Sequence, residues 1–367
     1  MTAKTGSGPR TAVIHDWLNG MRGGEKVLET ILEIVPQPTI FTLFHVPGSV
    51  SETIERHPIR VSALDRIPGA RRHYRQFLPF FSKAVESFDL SGFDLVVSSS
   101  HCVAKGAIAP AGVPHLCYCH TPVRYAWDQL DVYFPPGSLV RSVQRAFVRR
   151  LREWDRATAD RPNRYLANSS AVAGRIRRNY GRDAAVCHPP VDVDYFEGDG
   201  AARSDFLLAV GALVPYKRFE WAIEAAAKAG RQLVVVGRGP EEARLRRIAG
   251  PSVRFESGVS PERLRDLYRQ CAFFVQPGEE DFGIASVEAL ACGAPIVALA
   301  RGGASDVVDD GETGVLYSGE GGDALAEAVG RAGSLRFDYT RMRARALRFR
   351  PERFIDEFRR EIDRLTS

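Results

Sequence analysis

Short runs of consecutive apolar residues recur along this chain, and the stretches between them carry apolar positions at helical spacing. The runs fall at 11–17, 39–44, 59–61, 94–100, 115–119, 163–168, 205–211, 232–237, 252–258, 271–276, 296–300 and 315–317. Most do not alternate apolar with polar and so predict strands buried on both faces, whereas 59–61 and 252–258 are interrupted by charged residues and predict only short strands. Helices are predicted over 25–33, where Val27, Leu28, Ile31 and Leu32 share a face, and over 139–159, 171–177, 219–229, 284–292 and 353–365. Ser169 or Ser170 is placed to cap one of them, Ser260-Pro261 opens another, and Pro79 stands where a helix could begin. Strands alternating with helices in both halves predict an α/β protein with two Rossmann-like parallel-sheet domains facing a cleft. His188-Pro-Pro followed by Glu197–Gly200 suits a linker. It divides the chain into residues 1–198 and 199–350, with a charged amphipathic segment at 351–367.

The most informative stretch runs from Gln276 to Ala294 as strand, acidic turn and helix, with the next strand after Pro295. Glu280 stands in the turn and Glu288 in the helix. Between them Phe282-Gly283-Ile284 offers the unpartnered amides of a helix start, which attract anions. A carboxylate beside an anion site suits a sugar hydroxyl, a hexose for Glu280 and a ribose for Glu288. The plainer alternative is a solvated turn acid and an exposed helix acid. Lys217 and Arg218 flank another predicted helix start and could brace a diphosphate. Gly20, Gly23 and Gly24 lie between the strand ending at His15-Asp16 and its helix, as in a phosphate cradle or simply a tight turn. His120 follows a strand, where ligands of open α/β sheets bind; a His bonded to backbone is the alternative. Gly237-x-Gly239 has Glu242 where a third glycine of a dinucleotide fingerprint would stand, which argues against a nicotinamide cofactor.

Charge changes the picture in the first half only. The 367-residue chain has a formal net charge of +5, all of it before residue 201; residues 141–182 hold twelve arginines against Glu153, Asp155 and Asp160. Between 66 and 83, Arg71, Arg72, Arg75 and Lys83 interleave with Tyr74, Phe77, Leu78, Phe80 and Phe81. Both stretches suit either an anionic membrane surface or an ordinary solvated face over an inward-packed core. The partner expected is a membrane surface rather than nucleic acid. The six cysteines show no Cys-x-x-Cys pair and no metal spacing. No apolar run is long enough to span a bilayer, and the polar first ten residues read as a tail, so a cytoplasmic location is expected, peripheral on the inner face of the plasma membrane if the basic stretches bind lipid.

Glu280-x7-Glu288 with Glu280-Asp-Phe-Gly283 and Glu288-Ala-Leu-Ala-Cys-Gly-Ala-Pro295, together with His120-Thr-Pro-x-Arg-Tyr-x-Trp127, resembles the retaining glycosyltransferases of family 4, and most the bacterial mannosyltransferase-like branch. The resemblance implies the GT-B fold, with a terminal helix crossing back to the first domain. It implies transfer of a hexose, mannose first, from a nucleotide sugar to a hydroxyl of a glycan or lipid-linked acceptor. GDP-mannose is the first donor implied and UDP-sugars the next, with no metal. Glu280, His120 and Lys217 would be catalytic. Gly23, Gly24, Arg218, Phe282, Gly283, Ile284 and Glu288 would hold the donor. Asp16, Arg124, Tyr125 and Trp127 would lie on the acceptor side. Two departures stand out: Ala212 occupies the place of a usual phosphate-binding Arg, and Asp306 that of a usual Glu. An epimerase or phosphorylase of the same fold, or a noncatalytic basic surface-binding protein, are the competing classes.

Overall fold

The structure is a computed structural model that describes residues 8–127, 141–200 and 202–367. It divides into two units, Met1–Pro190 with Phe354–Ser367, and Val191–Arg353.

The first unit is built on seven parallel strands: β1 Thr11–His15, β2 Pro38–Thr42, β3 Ile59–Val61, β4 Leu95–Ser100, β5 His115–Cys119, β6 Arg164–Ala167 and β7 Ala184–Val186. Their order is β3-β2-β1-β4-β5-β6-β7. The chain moves outward from β1 to β3, then returns to the other side of β1 with β4, so β1 and β4 mark a topological switch point. Every residue of β1, β4 and β5 is buried, which explains the unbroken apolar runs. Phe354 and Phe358 of helix Pro351–Thr366 pack on Tyr118, with ring centroids 5.5 and 6.4 Å away, and Arg164 pairs with Glu361 at 2.8 Å.

The second unit repeats the scheme with six parallel strands: β8 Phe206–Val210, β9 Gln232–Val236, β10 Val253–Glu256, β11 Phe273–Gln276, β12 Ile296–Leu299 and β13 Gly314–Tyr317. The order β10-β9-β8-β11-β12-β13 places a second switch point between β8 and β11. Both faces are covered by helices, among them Phe219–Lys228, Pro261–Gln270, Ile284–Ala291 and Gly322–Gly333.

The local signals act as their chemistry predicts. Ser169 accepts the Val172 N–H at 3.2 Å, and Ser260 accepts that of Arg263 at 3.2 Å. Pro79 departs from expectation: it lies inside a 3-10 helix, Tyr74–Phe80, and the α-helix begins only at Phe81. Beyond the predicted elements, the structure adds β7 and the helices Glu242–Ile248, Gly322–Gly333 and Tyr339–Ala346. Asp192 and Asp194 serve the fold: Asp192 accepts the Tyr195 N–H, and Asp194 accepts from Arg343 at 2.8 Å and Arg350 at 2.9 Å. All six cysteines are reduced and buried. Among the described residues no helix is long and apolar enough to cross a membrane.

Candidate active site

In the second unit the site is assembled from loops at the carboxyl ends of β8, β11 and β12, which glycines allow to lie against one another. A Cβ on Gly278 would stand 2.6 Å from Lys217 Cα, and one on Gly211 would meet Lys217 Nζ. A Cβ on Gly302 would collide with the Glu280 carbonyl oxygen, which accepts the Gly303 N–H at 3.0 Å. This packing brings Lys217 Nζ to 2.7 Å from Glu280 Oε1. Glu280 is therefore not a solvated turn acid. Its carboxylate and the Lys217 ammonium form one charged pair at the switch point.

Gly283 adopts φ 96°, which a side chain would resist, and caps helix Ile284–Ala291. A Cβ there would also stand 2.6 Å from Gln276 Oε1, the atom that accepts the Ser286 hydroxyl at 2.5 Å. Phe282 is buried with its ring 5.3 Å from Phe349, and Ile284 packs on the same core, so these two residues can offer a ligand only their backbone amides. Glu288 is 5 % exposed and accepts the Tyr268 hydroxyl at 3.0 Å. That excludes the exposed helix acid. Burial and the Glu288 charge push the Tyr268 phenol well up. Arg203 ties down the same helix end, donating to the Tyr268, Cys271 and Cys292 carbonyls at 2.6–3.0 Å. Arg218 takes the left-handed conformation (φ 52°) at the cap of helix Phe219–Lys228, lies over Trp221 at 5.4 Å, and stands 3.7 Å from Glu220.

In the first unit the switch point gathers histidines. His15 Nδ1 and Ser99 Oγ are 3.1 Å apart, and Ser99 Oγ is 2.8 Å from His120 Nε2. His120 is held at its carbonyl by Asn168 Nδ2 at 2.8 Å and at its amide by Ser100 O. Its ring is bonded to a side chain and not to backbone. Burial holds the His120 imidazole well below the usual histidine range, and the nearby His101 and His15 add to that. Gly23 opens helix Gly23–Ile34, and a Cβ on Gly24 would lie 3.8–3.9 Å from His15 and His120, so the pair is roofed by backbone rather than by a side chain.

Of the residues expected on an acceptor side, Asp16 and Trp127 have partners within the first unit. Asp16 receives the backbone N–H groups of His101, Cys102, Val103 and Ala104 at 2.7–2.9 Å and the His101 ring at 3.2 Å, which occupies both oxygens. It shapes the turn after β4. Trp127 donates to buried Asp155 at 2.7 Å and lies under Arg152, so it braces helix Arg141–Ala157. Arg124 is 9 % exposed. The Tyr125 side chain and residues 139–140, the expected start of that helix, lie outside the described residues. Several of the twelve arginines in 141–182 are paired within the protein, some at its surface, among them Arg161 with Glu86, Arg164 with Glu361, Arg177 with Asp183 and Arg182 with Asp160. Among the described residues no group of three or more His, Cys, Asp or Glu could hold a metal ion.

Sequence reasoning missed Ser99, His15, Tyr268, Arg203, Gly278 and Gly302. Ser99 and His15 sit inside strands whose other members are simply buried. The glycines matter through neighbours distant in the chain, which no local pattern reports.

Comparison with known proteins finds family matches in both halves of the chain. The family Glycosyltransferase Family 4 matches residues 37–195, and Glycosyl transferases group 1 matches residues 204–333. Among curated proteins, D-inositol 3-phosphate glycosyltransferase 2 of Catenulispora acidiphila is 33% identical over 203 residues, covering 46% of this chain and 48% of that protein. D-inositol 3-phosphate glycosyltransferase of Mycobacterium tuberculosis is 34% identical over 200 residues, covering 48% and 42%. The matched region thus spans about half the length of these relatives. Among solved structures, Anabaena HepE in complex with UDP superposes with a TM-score of 0.72 at 16% identity, covering 97% of this chain and 100% of that one. The catalytic domain of Arabidopsis thaliana starch synthase IV, bound to ADP and acarbose, gives 0.67 at 14%, covering 98% and 100%. These likenesses identify the fold as GT-B.

Proposed function

We propose that the chain is a family 4 glycosyltransferase that transfers a hexose from a nucleotide sugar to a hydroxyl, with retention at the anomeric carbon, a reading supported by the family matches over residues 37–195 and 204–333. The observation that carries this reading is the Lys217–Glu280 pair at the β8/β11 switch point, beside the N-terminus of helix Ile284–Ala291. Departure of a nucleoside diphosphate builds negative charge on the leaving oxygen. Lys217 and the Gly283–Ile284 amides supply the fixed positive field that lowers its energy. Glu280 accepts a hydrogen bond from a sugar hydroxyl and fixes the ring, and Glu288, oriented by Tyr268, binds the ribose. His120 is the residue of the first unit assigned to the sugar. Arg218, turned toward Glu220 and Trp221, adds long-range positive charge rather than a direct phosphate contact.

The donor is open between two classes. The sequence resemblance favours GDP-mannose, and HepE is seen with UDP and with UDP-glucose. The decisive experiment is nucleoside diphosphate release from UDP-, GDP- and ADP-sugars, with and without acceptor, D-inositol 3-phosphate included because the curated relatives carry its name. A sugar transferred to an acceptor supports the proposal. Rearrangement of the nucleotide sugar without transfer would favour the epimerase class. Binding without turnover in every arm would favour a surface-binding protein.

The segment 63–83 supports an anionic membrane as the surface on which the acceptor is met. Tyr74 and Phe81 are buried and Phe77 and Leu78 half-buried, as the inward-packed alternative requires. Yet Phe80 is 55 % exposed and Ile67 40 %, in a segment whose Arg66, Arg72 and Arg75 are exposed as well. Cosedimentation with anionic but not zwitterionic phospholipid vesicles, reduced by Phe80→Ser and by Arg72→Ala with Arg75→Ala, is the expected result. Equal partition to both vesicle types would remove the membrane from this reading.

A further inference from the structure

The hydrogen-bonded file His15–Ser99–His120 has a carboxylate beside its far end, and that gives it a direction. Glu25, in the first turn of helix Gly23–Ile34, is 3 % exposed, and its Oε2 accepts the Arg22 N–H at 3.0 Å. Its Oε1 lies 3.7 Å from His15 Nε2, too far for a hydrogen bond but close enough for charge to decide which atom faces it. His15 Nε2 is buried with no hydrogen-bond partner among the described residues. A carboxylate repels an imidazole lone pair and attracts an N–H, so His15 carries its proton on Nε2. His15 Nδ1 is then an acceptor, and the group in reach is the Ser99 hydroxyl at 3.1 Å. Having donated its one proton to His15, Ser99 Oγ can only accept from His120 Nε2 at 2.8 Å.

We propose that Glu25, His15 and Ser99 are positioning residues that fix His120 as the Nε2–H tautomer, so that its Nδ1 is presented to the substrate as a hydrogen-bond acceptor. The side chain so prepared receives a hydroxyl proton of the sugar; it does not donate to the diphosphate. The role for the sugar rests on the transfer reading above, whereas the tautomer is a property of the folded protein alone. The remaining neighbours do not reverse the direction. The His101 ring is 6.2 Å away and is held by Asp16, and the Tyr118 ring lies edge-on at 5.1 Å with its hydroxyl given to the Cys187 carbonyl.

The test is ring nitrogen NMR on histidine-labelled full-length protein, its eight histidines assigned with His15→Gln and His120→Gln. The expected spectrum shows Nε2 protonated and Nδ1 unprotonated for both His15 and His120. Ser99→Ala and, independently, Glu25→Gln, which keeps the hydrogen bond to Arg22, should each turn His120 into a mixture of tautomers, and Ser99→Thr should restore one form. Turnover should fall by about tenfold in Ser99→Ala with little change in donor KM. A His120 protonated on Nδ1, or ring shifts of His120 that ignore both substitutions, would overturn the proposal. If the shifts respond and transfer does not, the tautomer device stands and the role given to His120 in transfer is lost.

Discussion

Replacing Glu280 with glutamine should strengthen binding of the free nucleoside diphosphate while it slows transfer. The Lys217 ammonium that is to meet the phosphates is already engaged, 2.7 Å from Glu280 Oε1, with side chains 17 % and 21 % exposed. At that separation two unit charges attract by about 6 kcal/mol for an effective dielectric of about 20. Lost hydration and side-chain ordering offset most of it, and pairs with this much solvent contact retain about 1 kcal/mol net. A diphosphate must displace that remainder. The glutamine amide keeps the shape and the hydrogen-bonding reach but not the charge, so the nucleoside diphosphate should bind about fivefold more tightly, which is about 1 kcal/mol. Sugar positioning through a charged acceptor is lost at the same time, and turnover should fall by about a hundredfold. Titration calorimetry with UDP and GDP, set beside diphosphate release under saturating donor, reads the two effects separately. Lys217→Gln is the control and should weaken both. Unchanged or weaker diphosphate binding in Glu280→Gln would show that the pair is not what the phosphates compete with.

Gly302→Ala should disturb the same loop from below. The residue has φ 67° and its Cβ would strike the Glu280 carbonyl, so we expect about 1–2 kcal/mol of destabilisation from backbone strain and a loss of transfer larger than that stability change explains; Tm and turnover measured on one preparation check it. Lys105→Met should lower stability by about 3–5 kcal/mol, because it strips Asp155, which is fully buried and 3.1 Å away, of its counter-charge; a drop in Tm of roughly 10 °C in calorimetry checks it. Burial, then the charges of Lys105 and Arg161, pull the His115 imidazole down to about 3 from 6.5. The unfolded chain therefore binds a proton below pH 6.5 that the folded one refuses, and stability should fall by about 2 kcal/mol from pH 7 to pH 5. Denaturant midpoints for His115→Gln should show that much less acid sensitivity; an equal slope would mean that another group sets it.

The architecture was legible because buried parallel strands leave apolar runs; twelve of the thirteen strands were readable, most of them in that way, although charged residues interrupt β3 (Ile-Arg-Val) and β10 (Val-Arg-Phe-Glu). The exception, β7, is Ala184-Ala-Val186, three small residues at a sheet edge with too little apolar bulk to stand out. At the candidate site, residue types were readable and partners were not. Glu280 and Lys217 could be named from their turns, but nothing at either position says that two loops so distant in the chain bring them together. The resemblance put Asp16 and Trp127 on the acceptor side, and it carries no information on their local partners: four backbone amides bond to the one and Asp155 to the other. Pro79 misled for a local reason. A proline suits a helical first turn, and the short 3-10 helix Tyr74–Phe80 also accommodates one, two residues before the α-helix begins.

The distribution of thiols has a use of its own. Cys102, Cys117, Cys119 and Cys187 lie in one unit and Cys271 and Cys292 in the other, all shut away from solvent, and burial is the leading reason that the last two thiols are pushed up to about 12 and held un-ionised. An alkylating reagent therefore meets no native target, and each label it leaves records an opening event in an identified half of the molecule. Timed labelling read by peptide mass would thus clock the two halves separately in a single wild-type sample, with bound nucleotide sugar expected to slow the second clock.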